Sequence, residues 1–236
     1  MVILQIGGGI YLALKILKYV YIGAIGIAAA HAVVEFVVED VYPDVKDWLG
    51  PDGIHILVLG RPYSGKSMFF RSLQGKYCQE SDTQTNGEET IESFKATFDG
   101  KTYKFAKTSD LAGNRIFHET CDNKPSKVEE LLPFADRIFF ICNIQELLSN
   151  VFDVNIQSTP QEDIIERLGQ ISRLKKDTSS LDIIFSYINS VDQNELKQAE
   201  EFLKSQLTAD RYKNVNFHEV DFLNEASTKK LLTNLF

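Results

Sequence analysis

The stretch IHILVLGRPYSGKSMFFRSLQG, residues 54–75, joins an apolar strand-like run to an apolar helix-like run through a short glycine-containing loop. Its centre, GRPYSGKS at 60–67, matches the pattern G-x-x-x-x-G-K-[ST] at every position. Glycines let the backbone curl so that several N–H groups point at phosphate oxygens, and the helix that follows adds its positive N-terminal end. Because the pattern falls between an apolar strand and an apolar helix, it predicts a phosphate-binding loop rather than a chance match.

The loop supplies most of the candidate ligand-binding residues. Lys66 is expected to reach the β- and γ-phosphates, which makes it a candidate for both binding and catalysis, and the Ser67 hydroxyl is a candidate Mg²⁺ ligand. Pro62 removes one N–H donor, and Arg61, Pro62 and Tyr63 are expected to crowd the region near the terminal phosphate. The candidate phosphate-binding positions are Gly60, Ser64, Gly65, Lys66, Ser67 and Met68.

The remainder of the chain alternates between strand-like and helix-like segments. This alternation predicts an α/β fold of three layers, in which a mostly parallel sheet with one antiparallel hairpin has helices on both faces. Asp99-Gly100 is the hairpin turn, and the stretch 144–159 stays unassigned. The predicted strands are 54–60, 92–98, 101–110, 137–143, 181–189 and 214–220. Helices are predicted at 66–75, at 128–136 (the end of a helix), from Thr159-Pro160 onward, at 193–206 and at 225–235.

Two further motifs precede the middle of the chain. Asp110-Leu111-Ala112-Gly113 follows the third predicted strand as D-x-x-G, where the aspartate can contact Mg²⁺ through water and the Gly113 N–H can sense a γ-phosphate. Thr85, nineteen residues after Lys66, is the candidate for completing the Mg²⁺ shell, with Thr83 and Thr90 as rivals.

Asn189-Ser190-Val191-Asp192 comes off the fifth predicted strand. With GRPYSGKS, TNG at 85–87 and DLAG at 110–113, it gives residues 54–236 a resemblance to the small GTPases of the Ras superfamily, and more loosely to the Arf-like branch and the signal-recognition-particle receptor beta subunit family. The resemblance implies GTP or GDP with Mg²⁺ as cofactors, with Asp192 binding guanine and Asn189 fixing the loop against the base. Ser190 replaces the lysine of the family motif, and no residue can be assigned to the family's final motif.

The resemblance leaves open whether the protein hydrolyses GTP at a useful rate. Asn114 stands where many family members carry the glutamine that orients the attacking water, and its side chain is one methylene shorter. A switch protein with slow GTP hydrolysis and nucleotide-dependent partner binding is therefore expected. The alternative is a pseudo-GTPase scaffold that binds nucleotide without turnover, which Ser190, Asn114 and the missing final motif favour. A P-loop kinase or other ATPase is disfavoured by the D-x-x-G and N-x-x-D pair.

Charge and composition exclude other classes and divide the chain. A net charge of −8 disfavours nucleic-acid binding, and three cysteines without CxxC spacing fit free thiols in a reducing compartment. Residues 1–38 form an apolar helical segment that fits a membrane anchor, a buried or partner-binding helix, or a cleaved signal peptide. An acidic linker, 39–53, leads to the domain at 54–236, and the expected location is cytoplasmic, including the cytoplasmic face of a membrane.

Overall fold

The computed structural model describes residues 53–77, 89–110, 127–149, 158–207 and 215–236. The predicted segment 1–38 and nearly all of the linker 39–53 lie outside these residues. The elements in chain order are β1 (Ile56–Gly60), α1 (Lys66–Leu73), β2 (Glu89–Ile91), β3 (Phe94–Phe98), β4 (Lys101–Phe105), β5 (Thr108–Asp110), α2 (Lys127–Leu131), β6 (Arg137–Asn143), α3 (Ile144–Leu147), α4 (Pro160–Leu174), β7 (Ser180–Ser186), a 3₁₀ turn (Ile188–Ser190), α5 (Gln193–Gln206), β8 (Val215–Glu219) and α6 (Glu225–Leu235).

A four-stranded parallel sheet forms the centre of the domain, with strand order β1-β6-β7-β8. Val58 of β1 lies opposite Phe139 of β6, and Phe139 lies opposite Asp182 of β7. Because all four strands run in the same direction, their carboxyl ends meet at one edge of the sheet, and the β1–α1 loop leaves from that edge. The parallel α/β frame expected from the alternating segments is confirmed.

Strands β1, β6 and β7 are buried on both faces, which explains their long apolar runs, whereas β8 is only partly buried. Successive side chains point to opposite faces, so Leu57 and Leu59 join one apolar cluster while Ile56 and Val58 join the other. Apolar residues of α2, α3, α4 and α5 complete the first cluster. Residues of α1 and α6, including Phe69 and Leu232, complete the second. The three-layer arrangement with helices on both faces is therefore also confirmed.

The antiparallel part differs from the prediction. The expected strand 101–110 is two strands: β4 pairs with β3, whereas β5 pairs with β2 as a separate two-stranded ladder. The break follows from a change of partner, because the Ala106 N–H donates to the Ile54 carbonyl oxygen at 3.1 Å. A single parallel bridge between Ile54 and Phe105 places the hairpin beside the start of β1. The hairpin is thus attached to the parallel sheet at its β1 side.

Local signals for turns and helix ends are confirmed where they rest on specific side chains. Thr159 caps α4, its hydroxyl accepting the Glu162 N–H at 3.2 Å while the Glu162 carboxylate accepts the Thr159 N–H at 2.8 Å. Asp99 and Gly100 form the tight hairpin turn at φ of 48° and 76°. Two elements end earlier than predicted: α2 ends at Leu131 and β7 ends at Ser186. Part of the unassigned stretch 144–159 is helical, as α3.

A buried ion cluster joins β6, β7 and β8 on the face covered by α6. The carboxylate of Asp182, which is 1% exposed, accepts a hydrogen bond from Arg137 Nη2 at 2.8 Å and one from Asn216 Nδ2 at 3.0 Å. His218 Nε2 lies 3.1 Å from Asp182 Oδ1. Burial raises the pKa of the Asp182 carboxyl, but the contacts from His218, Arg137 and Asn216 outweigh it, so the net pKa lies below the usual 3.8.

Asp182→Asn is expected to remove part of the acid sensitivity of folding. Because the carboxyl is more acidic in the folded state, its stabilising contribution is present above about pH 4 and is lost as the pH falls through the lowered pKa. Urea unfolding between pH 6 and pH 2.5 should give a shallower decline of the unfolding free energy for Asp182→Asn than for wild type. Parallel declines would contradict the role given to Asp182.

Candidate phosphate-binding site

The loop between β1 and α1 has a backbone that requires its two glycines. Gly60 has φ of +150°, and a Cβ at this position would lie 2.3 Å from the Ile141 carbonyl oxygen. Gly65, the N-cap of α1, has φ of +101°, and a Cβ there would lie 3.0 Å from the Phe222 ring. Both conformations are ones that residues with side chains rarely adopt. The two glycines of the motif therefore correspond to two places where the chain turns sharply and packs closely.

Inside this loop, Lys66 and Ser64 are buried polar residues. The Lys66 ammonium donates to the Arg61 carbonyl oxygen at 2.7 Å, so its side chain folds back over its own loop. Ser64 is fully buried, and its hydroxyl oxygen has no hydrogen-bond partner among the described residues. Buried polar atoms are normally satisfied, so such a group is one that a bound polar ligand can complete. Ser67 and Met68 follow in the first turn of α1.

Two residues that the sequence analysis did not single out hold the loop from neighbouring strands. The Ser186 hydroxyl, at the end of β7, donates to the Ser64 carbonyl oxygen at 2.7 Å. Phe222, after β8, packs against Gly65 and makes an edge contact with the Phe69 ring at 6.3 Å between centroids. Phe222 lies in the region where no final family motif could be assigned. Neither residue belongs to a motif: Ser186 is the last residue of the buried strand β7, and Phe222 follows the end of β8 by three residues.

The other predicted metal and switch residues are covered only in part. Asp110 is the last residue of β5, and β5 lies beside β1, where the Thr108 hydroxyl donates to the Ile56 carbonyl oxygen at 2.9 Å. The strand that ends at Asp110 is therefore a neighbour of the strand that leads into the 60–67 loop. Thr85, Gly113 and Asn114 lie outside the described residues, so their assigned roles stay predictions.

The predicted base-binding motif also lies at the carboxyl edge, although it begins three residues beyond β7 rather than directly on it. Asn189 is exposed in the 3₁₀ turn, and Asp192 is the N-cap of α5. Asp192 Oδ1 accepts the N–H groups of Asn194 at 2.8 Å and Glu195 at 2.9 Å. Its carboxylate therefore stabilises the start of a helix, a second role that the N-x-x-D pattern does not reveal.

Arg61 differs from the expectation that it would crowd the terminal phosphate. Its guanidinium turns away from the exposed side of the loop and is buried against two carboxylates, those of Glu146 in α3 and Asp163 in α4. Tyr63, in contrast, is 66% exposed and has a positive φ of 60°. Arg61 turns inward because a buried guanidinium is stabilised where two acidic groups accept its hydrogen bonds.

Comparison with known proteins leaves the function to be argued from this site. No protein family model matches the chain, and no curated protein matches it. A structure of Roco2 RocCORdC from Methanosarcina barkeri bound to GDP is similar at 14% identity and a TM-score of 0.48. The similarity covers 79% of this chain and 50% of that one, so the chain spans about half the length of its neighbour. A likeness at this level carries no conclusion about ligand or activity.

The structure does not test a membrane role for the N-terminal segment. Within the five described ranges, no helix has both the length and the apolar character needed to cross a bilayer.

Proposed function

We propose that this protein binds a guanine nucleotide, with the phosphates held by the loop 60–67, and acts as a switch that hydrolyses GTP slowly. The observation that carries the proposal is the geometry of this loop. It leaves the carboxyl end of a buried parallel strand, turns at two glycines with positive φ, and enters a helix at a buried lysine. Backbone N–H groups at a helix start, together with a lysine ammonium, are suited to phosphate oxygens.

Magnesium belongs to the proposal as the ion that accompanies a bound triphosphate. Ser67, in the first turn of α1, and Asp110, at the end of the neighbouring β5, are the described residues that would contribute to its shell. Hydroxyl and carboxylate oxygens are the protein ligands that Mg²⁺ prefers. Thr85 is the proposed third contributor, and Gly113 and Asn114 are proposed to respond to the γ-phosphate and to orient water. Loss of the γ-phosphate would then change the affinity for a protein partner.

A scaffold that binds nucleotide without turnover is the second candidate, and the position of Asp192 favours it. A bidentate contact to guanine uses both carboxylate oxygens, but Oδ1 already accepts two N–H groups of α5. Guanine binding by Asp192 would therefore compete with the helix cap. This competition supports weaker guanine selectivity than the family motif implies.

Asp192→Asn separates the two roles of this residue. Asparagine is as good an N-cap as aspartate, so α5 should keep its start, whereas its side-chain amide cannot accept both guanine hydrogens. If Asp192 binds guanine, the preference for GTP over ATP should fall about tenfold or more, with the unfolding free energy within about 0.5 kcal/mol of wild type. Competition titrations with both nucleotides measure the ratio, and an unchanged ratio would remove the role.

The experiment that tests the proposed function is to identify the nucleotide that the protein carries. The purified full chain is denatured, the released nucleotides are separated by chromatography, and phosphate release is timed after GTP is added. Bound GDP with slow phosphate release supports the switch. GTP that persists without hydrolysis supports the scaffold. An adenine nucleotide contradicts the base assignment, and a protein that takes up neither kind of nucleotide contradicts both candidates.

The cellular setting is a separate part of the proposal. We place the domain in the cytoplasm because a nucleotide switch needs a supply of GTP, and we propose that residues 1–38 attach it to a membrane or to a partner chain. Their apolar composition supports this proposal. Vesicle flotation with residues 1–236 and with a chain beginning at residue 39 tests attachment to a membrane. Only the chain that contains residues 1–38 should float with the vesicles.

A further inference from the structure

Four charged side chains form an ion cluster directly behind the phosphate loop. Arg61 Nε lies 3.0 Å from Glu146 Oε2, and Arg61 Nη1 lies 2.8 Å from Asp163 Oδ2. Arg167 Nε, one turn further along α4, lies 2.8 Å from the same oxygen of Asp163. The side chains of Arg61, Asp163 and Arg167 are at most 9% exposed. The cluster therefore ties the second residue of the loop to helices α3 and α4 in a poorly hydrated environment.

Arg61 supplies one of the two guanidinium groups that the described residues place against these two carboxylates. Its removal takes away the guanidinium that contacts Glu146 and one of the two that contact Asp163. The carbonyl oxygen of Arg61 also accepts the Lys66 ammonium at 2.7 Å. Arg61 thus binds the two carboxylates through its side chain and the phosphate-binding lysine through its backbone.

We propose that Arg61 is a positioning residue of the phosphate loop, which it holds against α3 and α4 while it neutralises one buried and one half-buried carboxylate that would otherwise repel bound phosphates. This inference rests on the proposed nucleotide binding and assigns a role to Glu146 and Asp163, which lie 85 and 102 residues away in the sequence. A carboxylate that loses its buried partner acts at longer range than a solvated one, because little water separates it from the loop.

The protonation of Glu146 should make the effect of removing Arg61 depend on pH. Burial raises the pKa of its carboxyl, and the nearby charge of Asp163 raises it further. The charge of Arg61, the hydrogen bond from Arg61 and the charge of Lys66 lower it. The net pKa is above the usual value. Two further groups interact with Glu146, the Cys142 thiol in β6 and the Tyr187 hydroxyl just after β7. Burial raises the pKa of both groups, and the charge of Glu146 raises each of them further. Without Arg61, Glu146 should take up a proton more readily, and protonation would remove the repulsion.

The test compares Arg61→Met, Glu146→Gln and the double variant with wild type, using GDP and inorganic pyrophosphate as probes at pH 8, 7 and 6. Arg61→Met should bind both probes about tenfold or more weakly at pH 8, with the deficit shrinking toward pH 6. Glu146→Gln removes one negative charge from beside the loop and should bind both probes up to about threefold more tightly. The double variant should recover most of the affinity that Arg61→Met loses.

Asp182→Asn is the matched control, because it removes a buried carboxylate from the second ion cluster, which involves neither the loop nor its neighbours Ser186 and Phe222. It should lower stability without changing either affinity.

Three results for Arg61→Met would overturn the proposal. They are a loss of affinity that is independent of pH, a double variant that binds as weakly as Arg61→Met, and full affinity in Arg61→Met. Weaker binding by Glu146→Gln would do the same, and this isosteric variant decides the question if Arg61→Met does not fold. A wild-type chain that binds neither probe would instead overturn the proposed function itself.

Discussion

Lys66→Ala is expected to remove nucleotide binding at concentrations that saturate the wild-type protein. Its ammonium is the only side-chain cation that the described loop places next to its own curled backbone, since the Arg61 guanidinium is paired with carboxylates. Hydrogen bonds to a charged group contribute about 1.5–3 kcal/mol each, so losing one such contact weakens binding by roughly 10- to 150-fold. Isothermal titration calorimetry with GDP measures the change in affinity.

The fold should survive this substitution. Lys66 is 7% exposed and lies in the first turn of α1, where alanine is well tolerated, so the unfolding free energy should stay within about 1 kcal/mol of wild type. Lys197→Ala, on the exposed side of α5, makes the same unit change in net charge and serves as the control. GDP affinity that is equal in Lys66→Ala and Lys197→Ala would contradict the phosphate-loop assignment.

The parts of the fold that could be predicted are those encoded by neighbouring residues. Continuous apolar runs identify buried parallel strands, and α4 begins where the spacing of Thr159, Pro160 and Glu162 indicates a cap. The phosphate loop belongs to the same category, because its two glycines and its lysine lie within seven residues of one another. In each case the physical cause, a backbone conformation or a local hydrogen bond, is contained in the segment itself.

The features that could not be predicted depend on contacts between distant residues. The strand expected over 101–110 breaks because Ala106 bonds to Ile54, about fifty residues earlier, and no local signal marks that change of partner. The burial of Arg61 depends on acidic residues in two helices. One partial signal was present, since Asp163 is adjacent to the inward-facing Ile164 of α4, where a carboxylate needs a charged partner. The identity of that partner required the structure.

Gly60→Ala is expected to destabilise the domain strongly, by about 2–6 kcal/mol. Two costs add at this position: a φ of +150° that alanine rarely adopts, at about 1–3 kcal/mol, and overpacking against the Ile141 carbonyl oxygen, at a further 1–3 kcal/mol. The clash also involves Ser64, whose hydroxyl oxygen would lie 2.6 Å from the new Cβ. Because that contact lies inside the phosphate loop, any folded variant should also bind GDP more weakly.

Gly75→Ala is the control in which a positive φ is strained but nothing is overpacked. Gly75, just after α1, has a φ of +75°, but a Cβ there would meet no atom within 4 Å. The substitution should therefore cost only the backbone term of about 1–2 kcal/mol and leave GDP affinity unchanged. Urea unfolding of both variants gives the difference, which combines the packing of Gly60 against β6 with any extra backbone strain at its φ of +150°. Equal losses of stability would mean that the loop can move away from Ile141, and the phosphate loop would then be less rigidly held by the sheet than its contacts with Ser186 and Phe222 imply.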